Sequence, residues 1–167
     1  MGLYYEIWVS CFLKSNMPEQ AVETLKYMTR DEDYEFDSPP NHWFFEMADA
    51  DWKNILRNCR DDGDDYWSFP GPGYLIFRKE PRYGQGDRLV EAYVFNLRCF
   101  GKGSHLGILY IRHGFLPWLA QYSESDTFVG YWREEFTRDP TLIYFLDGKA
   151  YSREVGASEM QLMPREK

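Results

Sequence analysis

The chain has 167 residues, enough for one domain whose single core removes roughly two thirds of the unfolded surface from water. Its 27 acidic against 19 basic side chains give a formal charge of −8, a field that repels phosphate backbones and anionic bilayers and so argues against nucleic-acid and membrane partners. The three cysteines, Cys11, Cys59 and Cys99, are widely spaced with no Cys-x-x-Cys pair and no Cys/His cluster. That pattern argues against a zinc site or a disulfide framework and fits a reducing, cytoplasmic setting, and no cofactor is expected. The chain start lacks a basic, signal-like region, and Glu6 stands where a myristoylation motif needs Ser or Thr.

Residues 3–13 alternate cleanly. Leu3, Tyr5, Ile7, Val9, Cys11 and Leu13 fall on one face of a strand, and Tyr4, Glu6, Trp8, Ser10 and Phe12 on the other. Asn16 and Glu19 then resemble a capping box, with Pro18 in the first turn of a helix carrying the stripe Val22, Leu25 and Met28. The helix should stop near Thr29, ahead of Asp31-Glu32-Asp33 and Pro39-Pro40. Residues 31–41 read as an acidic loop, and 42–47 as a short strand or an apolar loop. Trp52, Ile55, Leu56 and Cys59 have the spacing of a short amphipathic helix that ends before Asp61-Asp62-Gly63-Asp64-Asp65.

The Pro/Gly-rich turn at 68–73 leads into a strand at 74–78, returned by the loop at 80–87 into a longer strand at 89–100. That longer strand carries Leu89, Tyr93, Phe95, Leu97 and Cys99 on one face; Asn96 and Arg98 interrupt the other. Residues 104–122 have a helical stripe broken by Gly107, Gly114 and Pro117, either one broken helix or an extended piece followed by a shorter helix. Residues 128–136 alternate as a strand. Asp147-Gly148 between residues 142–146 and 149–152 is a strong signal for a two-residue hairpin turn. The expected architecture is α+β: a mostly antiparallel sheet with helices on one face, a ferredoxin-like core and an added C-terminal hairpin. One domain covers residues 1–156, followed by a polar, loose tail at 157–167.

Several segments carry a resemblance. Leu13 with Pro18-Glu19 and Leu25-Lys26-Tyr27-Met28, then Asp51-Trp52, Phe115-Leu116-Pro117-Trp118-Leu119, and Gly130-Tyr131 with Pro140-Thr141-Leu142-Ile143-Tyr144 resemble a family of small bacterial α+β proteins of uncharacterised function. The likeness spans most of the chain. It implies a fold class and no activity, and Gly107 and Gly114 depart from the helical segment of that family.

Catalytic motifs are lacking. Aligning Gly63 with the glycine of a calcium-binding loop puts Phe69 where a bidentate Glu belongs. Gly84-Gln85-Gly86 and Gly101-Lys102-Gly103 are explained by turn chemistry, and His42, His105 and His113 lack zinc-ligand spacing. Arg133, Glu134 and Glu135, joined by Glu91 and Arg98 from a neighbouring strand, form the most enzyme-like grouping, but cross-strand ion pairs use the same residues.

Ring content rises above background, with 6 Trp, 13 Tyr and 12 Phe, more than one core readily hides. Tyr4, Trp8, Phe12, Tyr131 and Trp132 are the rings expected on a sheet face without a helix over it. The reading is a non-catalytic interaction domain that presents an acidic, aromatic surface to a protein partner, with a basic one favoured by charge and a homodimer through the sheet face as a further option. The competing reading is an aromatic-lined pocket between sheet and helices, with Glu91, Arg133 and Glu134 as polar anchors.

Overall fold

A computed structural model of the chain describes residues 4–29, 36, 38–46, 52–58, 69, 71–83, 88–102, 106–124 and 126–163. The acidic cluster at 61–65, Asp31-Glu32-Asp33, Cys59, His105 and Gly84-Gln85-Gly86 lie outside the described residues. Seven strands, β1 (Tyr4–Leu13), β2 (Tyr74–Tyr83), β3 (Leu89–Lys102), β4 (Thr127–Glu134), β5 (Thr141–Leu146), β6 (Lys149–Glu154) and β7 (Gln161–Leu162), form one sheet in the order β2-β3-β1-β4-β5-β6-β7. Every neighbouring pair is antiparallel. Helix α1 (Glu19–Thr29) and α2 (Trp52–Asn58) lie between β1 and β2. A helical segment between β3 and β4 runs from α3 (Leu106–Tyr110) through a π-helical turn (Ile111–Phe115) into α4 (Leu116–Ala120).

Strict alternation in β1 explains its place in the middle. Ile7, Val9 and Leu13 are fully buried, and through the register they face Cys99, Leu97 and Tyr93 of β3. Those residues join Leu25 and Met28 of α1, Leu56 of α2 and Phe115 and Trp118 of the third helical segment in one hydrophobic cluster. Burial pushes the Cys11 thiol up to about 12, so it packs there as a neutral hydrophobe. β4 approaches β1 so closely that a Cβ on Gly130 would lie 1.9 Å from the Trp8 carbonyl oxygen, and a bulge between Phe128 and Gly130 adjusts the pairing with β5.

Several local expectations meet their counterparts. Helix α1 ends at Thr29, but its first turn is held by the Pro18 carbonyl, which accepts from Ala21 and Val22, where the sequence suggested Asn16 as the cap. Trp43–Phe45 is a single 3-10 turn, capped by the His42 ring, not a strand. Residues 106–120 form one helical run broken by the π turn. Gly114 allows this turn to press against Phe44, since a Cβ there would come within 2.6 Å of that ring. β2 continues past residue 78 to Tyr83, with Pro81 tolerated because β2 borders only β3. Asp147 (φ 49) and Gly148 (φ 69) make the hairpin turn expected between β5 and β6. Residues 161–163, read from the sequence as part of a loose tail, instead hold β7, and Met163 is buried with its N–H donating to the Ala150 carbonyl.

Candidate functional site

Opposed residues in an antiparallel ladder share a face, so the registers fix what surrounds Glu6 and Trp8 on the even-numbered side of β1. Arg98 lies opposite Trp8, Phe100 opposite Glu6, Tyr131 opposite Trp8 from the other flank, and Arg133 opposite Glu6. Further out the same face carries Ile76 and Arg78 of β2, Leu142 and Tyr144 of β5, and Tyr151 and Arg153 of β6.

Glu6 is fully buried at the centre and accepts from three side chains. Arg98 Nε and Nη2 each lie 2.8 Å from Oε1, Arg133 Nε donates to Oε2 at 2.6 Å, and the Tyr131 hydroxyl to Oε2 at 3.2 Å. Charge-assisted bonds of this kind are the strong ones, and together they satisfy a carboxylate that would otherwise be costly to bury. Burial, and then the Glu6 carboxylate, hold the Tyr131 phenol above its ordinary pKa and keep it a donor. Phe69, buried and stacked on Phe100 at 5.9 Å, roofs this group, and the guanidinium of Arg133 lies 4.9 Å from the Phe69 ring. Trp8 is fixed by a tilted ring contact with Tyr131 at 5.8 Å and by donating from Nε1 to the Tyr74 hydroxyl at 2.5 Å.

Guanidinium groups recur over rings across this face: Arg82 over Phe12 at 4.5 Å, Arg98 over Phe100 at 5.0 Å and Arg153 over Tyr144 at 5.2 Å. Arg153 Nη2 also donates to the Tyr144 hydroxyl at 2.7 Å. The rings are not sealed. Phe12 and Phe128 are 38% and 42% exposed, while Trp8, Tyr131, Tyr144 and Tyr151 are half-buried. Among the described residues, the charged side chains here are Arg78, Arg82, Arg98, Arg133, Lys149 and Arg153 against Glu6 and Glu80, with Glu124 at the rim beside Arg82 and Glu135 at the end beside Tyr4. The local charge is thus positive, opposite to that of the chain.

Of the residues singled out from the sequence, Tyr4, Trp8, Phe12, Tyr131 and Arg133 share this face. Tyr4 lies at its end, where its backbone N–H donates to Glu135. Trp132 and Glu134 point to the opposite side, opposite Ile7 and Tyr5, where Trp132 packs against the core and the Arg112 guanidinium lies 3.6 Å from its ring centroid. Glu91 is far from both, exposed opposite Pro81 and paired with Lys79. Glu91, Arg133 and Glu134 therefore do not converge. The sequence reading missed Glu6, Tyr144 and Arg153. Glu6 alone carried a signal, as the one carboxylate on a strand face with three aromatic rings.

A cleft of about 570 Å³ lies beside the β2 edge, lined by Lys26, Thr29, Phe77, Lys79 and Tyr93. Among the described residues no three His, Cys, Asp or Glu side chains come together as metal ligands, and no helix is long and apolar enough to cross a membrane. Comparison of the chain with known protein families, curated proteins and solved structures finds no match.

Proposed function

We propose that the protein is a non-catalytic interaction domain that docks a carboxylate-bearing segment of a protein partner on the arginine–aromatic face of its sheet. The supporting observation is an unsealed run of rings with guanidinium groups over several of them, Phe12 with Arg82 and Tyr144 with Arg153 among them. Tyr, Trp and Arg are the residues that dominate binding energy at protein interfaces. Lys149 and Arg153 have no carboxylate partner among the described residues, and one carboxylate, Glu6, serves both Arg98 and Arg133. At physiological salt the field is screened within about 8 Å, so this local surplus, more than the net −8, sets the sign of the partner. An acidic segment fits better than the basic one suggested by composition.

Single-stranded nucleic acid also binds aromatic sheet faces, by stacking bases on free rings. Here guanidinium groups already occupy the ring faces of Phe12, Phe69, Phe100 and Tyr144, which favours carboxylate recognition. The fold reading that accompanies this is a ferredoxin-like core in β1 to β4 with helices on one face. It is supported by the strand-helix-strand-strand-helix-strand order and by β3 lying between β1 and β2, with β5 to β7 extending the sheet beyond β4. The buried free thiol of Cys11 supports a reducing, cytoplasmic setting.

Fluorescence polarisation against matched panels of acidic peptides, basic peptides and single-stranded oligonucleotides tests the proposal. Saturable binding of acidic peptides, weakened at least about tenfold by Arg153→Glu, is the expected result. Preference for basic peptides or oligonucleotides, or equal binding by the variant, overturns it, as does light scattering that shows the face occupied by a second copy.

A further inference from the structure

The π turn on the other side of the sheet carries a second cationic group, and among the described residues it has no anionic partner. Inserting one extra residue into a helix re-aims the side chains around it, and such turns occur often at functional sites. Here the turn carries Arg112, half-buried, with its guanidinium carbon 3.6 Å from the centroid of Trp132. Arg112 has no carboxylate within ion-pair distance among the described residues, and its Nε is buried without an acceptor. The indole Nε1 of Trp132 is likewise buried without one. Two donors from different elements, held together by stacking, thus share one unmet requirement, and leaving them so costs desolvation free energy. Burial lowers the pKa of Arg112, with only Tyr5 opposing, as expected for a cation that has lost water without gaining a counter-charge.

The neighbours restrict the ligand. Tyr5 packs on Trp132 at 6.0 Å, and Glu134 lies opposite Tyr5 on β4. The charge of that carboxylate disfavours a dianion nearby. A planar monoanion suits a guanidinium edge beside an indole N–H. We propose that Arg112 and Trp132 form a binding site for a single carboxylate group, from a small organic acid or from a peptide C-terminus. The site is separate from the arginine–aromatic face, and neither proposal depends on the other.

The test follows the Trp132 indole N–H in ¹H–¹⁵N spectra during titration at constant ionic strength. The probes are sodium acetate, inorganic phosphate, and a tripeptide with a free or an amidated C-terminus, with sodium chloride as reference. A saturable shift with acetate, weakened on the order of tenfold by Arg112→Lys and lost in Arg112→Met, is expected. Response to the free but not the amidated tripeptide extends the source to chain ends, and response to acetate alone assigns it to free acids. If Arg112→Met fails to fold, Arg112→Lys decides. No saturable shift, tighter response to phosphate, or an unchanged response in Arg112→Lys overturns the proposal. So does a large loss of thermal stability in Glu134→Gln without any acetate effect, because Arg112 would then be paired with Glu134 in solution.

Discussion

Replacing Glu6 by glutamine tests the centre of the sheet. The amide keeps the shape of the carboxylate but removes the charge that holds Arg98 and Arg133, each within 2.8 Å of it, and leaves two guanidinium groups facing a dipole. Breaking a buried ion pair from one side costs about 3–5 kcal/mol. The Arg98 and Arg133 side chains retain 18% and 36% exposure, so water relieves part of the loss, and about 2–4 kcal/mol is expected. For a chain of this length that is a fall in Tm of roughly 4–16 °C. Urea unfolding followed by tryptophan fluorescence measures it as a lower midpoint at unchanged slope. Adding Arg133→Met to Glu6→Gln should restore at least about 1 kcal/mol, because the second change removes one of the orphaned charges. A loss below about 1 kcal/mol for Glu6→Gln, or strict additivity in the double variant, would refute the view that one carboxylate holds both arginines.

Other consequences are direct. Gly130→Ala places a methyl group 1.9 Å from the Trp8 carbonyl oxygen and must part β1 from β4. It should cost more than about 3 kcal/mol or abolish cooperative unfolding in calorimetry. Gly148→Ala meets only an ordinary 3.5 Å contact, but at φ +69, so strain alone should cost about 1 kcal/mol in a thermal melt. The Cys11 thiol, raised from 9.0 to about 12, binds its proton more tightly in the folded state. Its stabilisation is complete below pH 9 and is lost as pH rises toward 12, at about 1.4 kcal/mol per unit. Cys11→Ala should be less stable at pH 8 yet show a shallower decline above pH 9. An identical slope in denaturation across pH 8–11 would contradict this.

The strand β1 and its core side were legible because alternation over ten residues has only one physical reading, and Asp147-Gly148 was legible because positive φ at two adjacent positions selects those residues. The partners of Glu6 were not. Arg98 and Arg133 are 92 and 127 residues away, and only the β1–β3 and β1–β4 registers bring them to one carboxylate. A one-residue slip would have put Trp132 in place of Tyr131 on that face. Pooling Tyr131 with Trp132 ignored the parity that separates them, and this could have been read from the sequence. The π turn was seen only as interruptions at Gly107, Gly114 and Pro117, since an added residue shifts the helical period without leaving a residue signature of its own. Net charge gave no view of this face either, because a sum over 167 residues says nothing about which face collects the arginines.

Hydroxyl-radical footprinting of the free protein tests the central claim most directly, by comparing rings on the two sides of the sheet. Tyr131, Tyr144, Tyr151 and Phe128 should be oxidised readily while Phe95, Phe115 and Trp118 resist, and a bound acidic peptide should protect the first group alone. Protection of that first group in the free, monomeric protein would contradict the account, since the face would then already be closed.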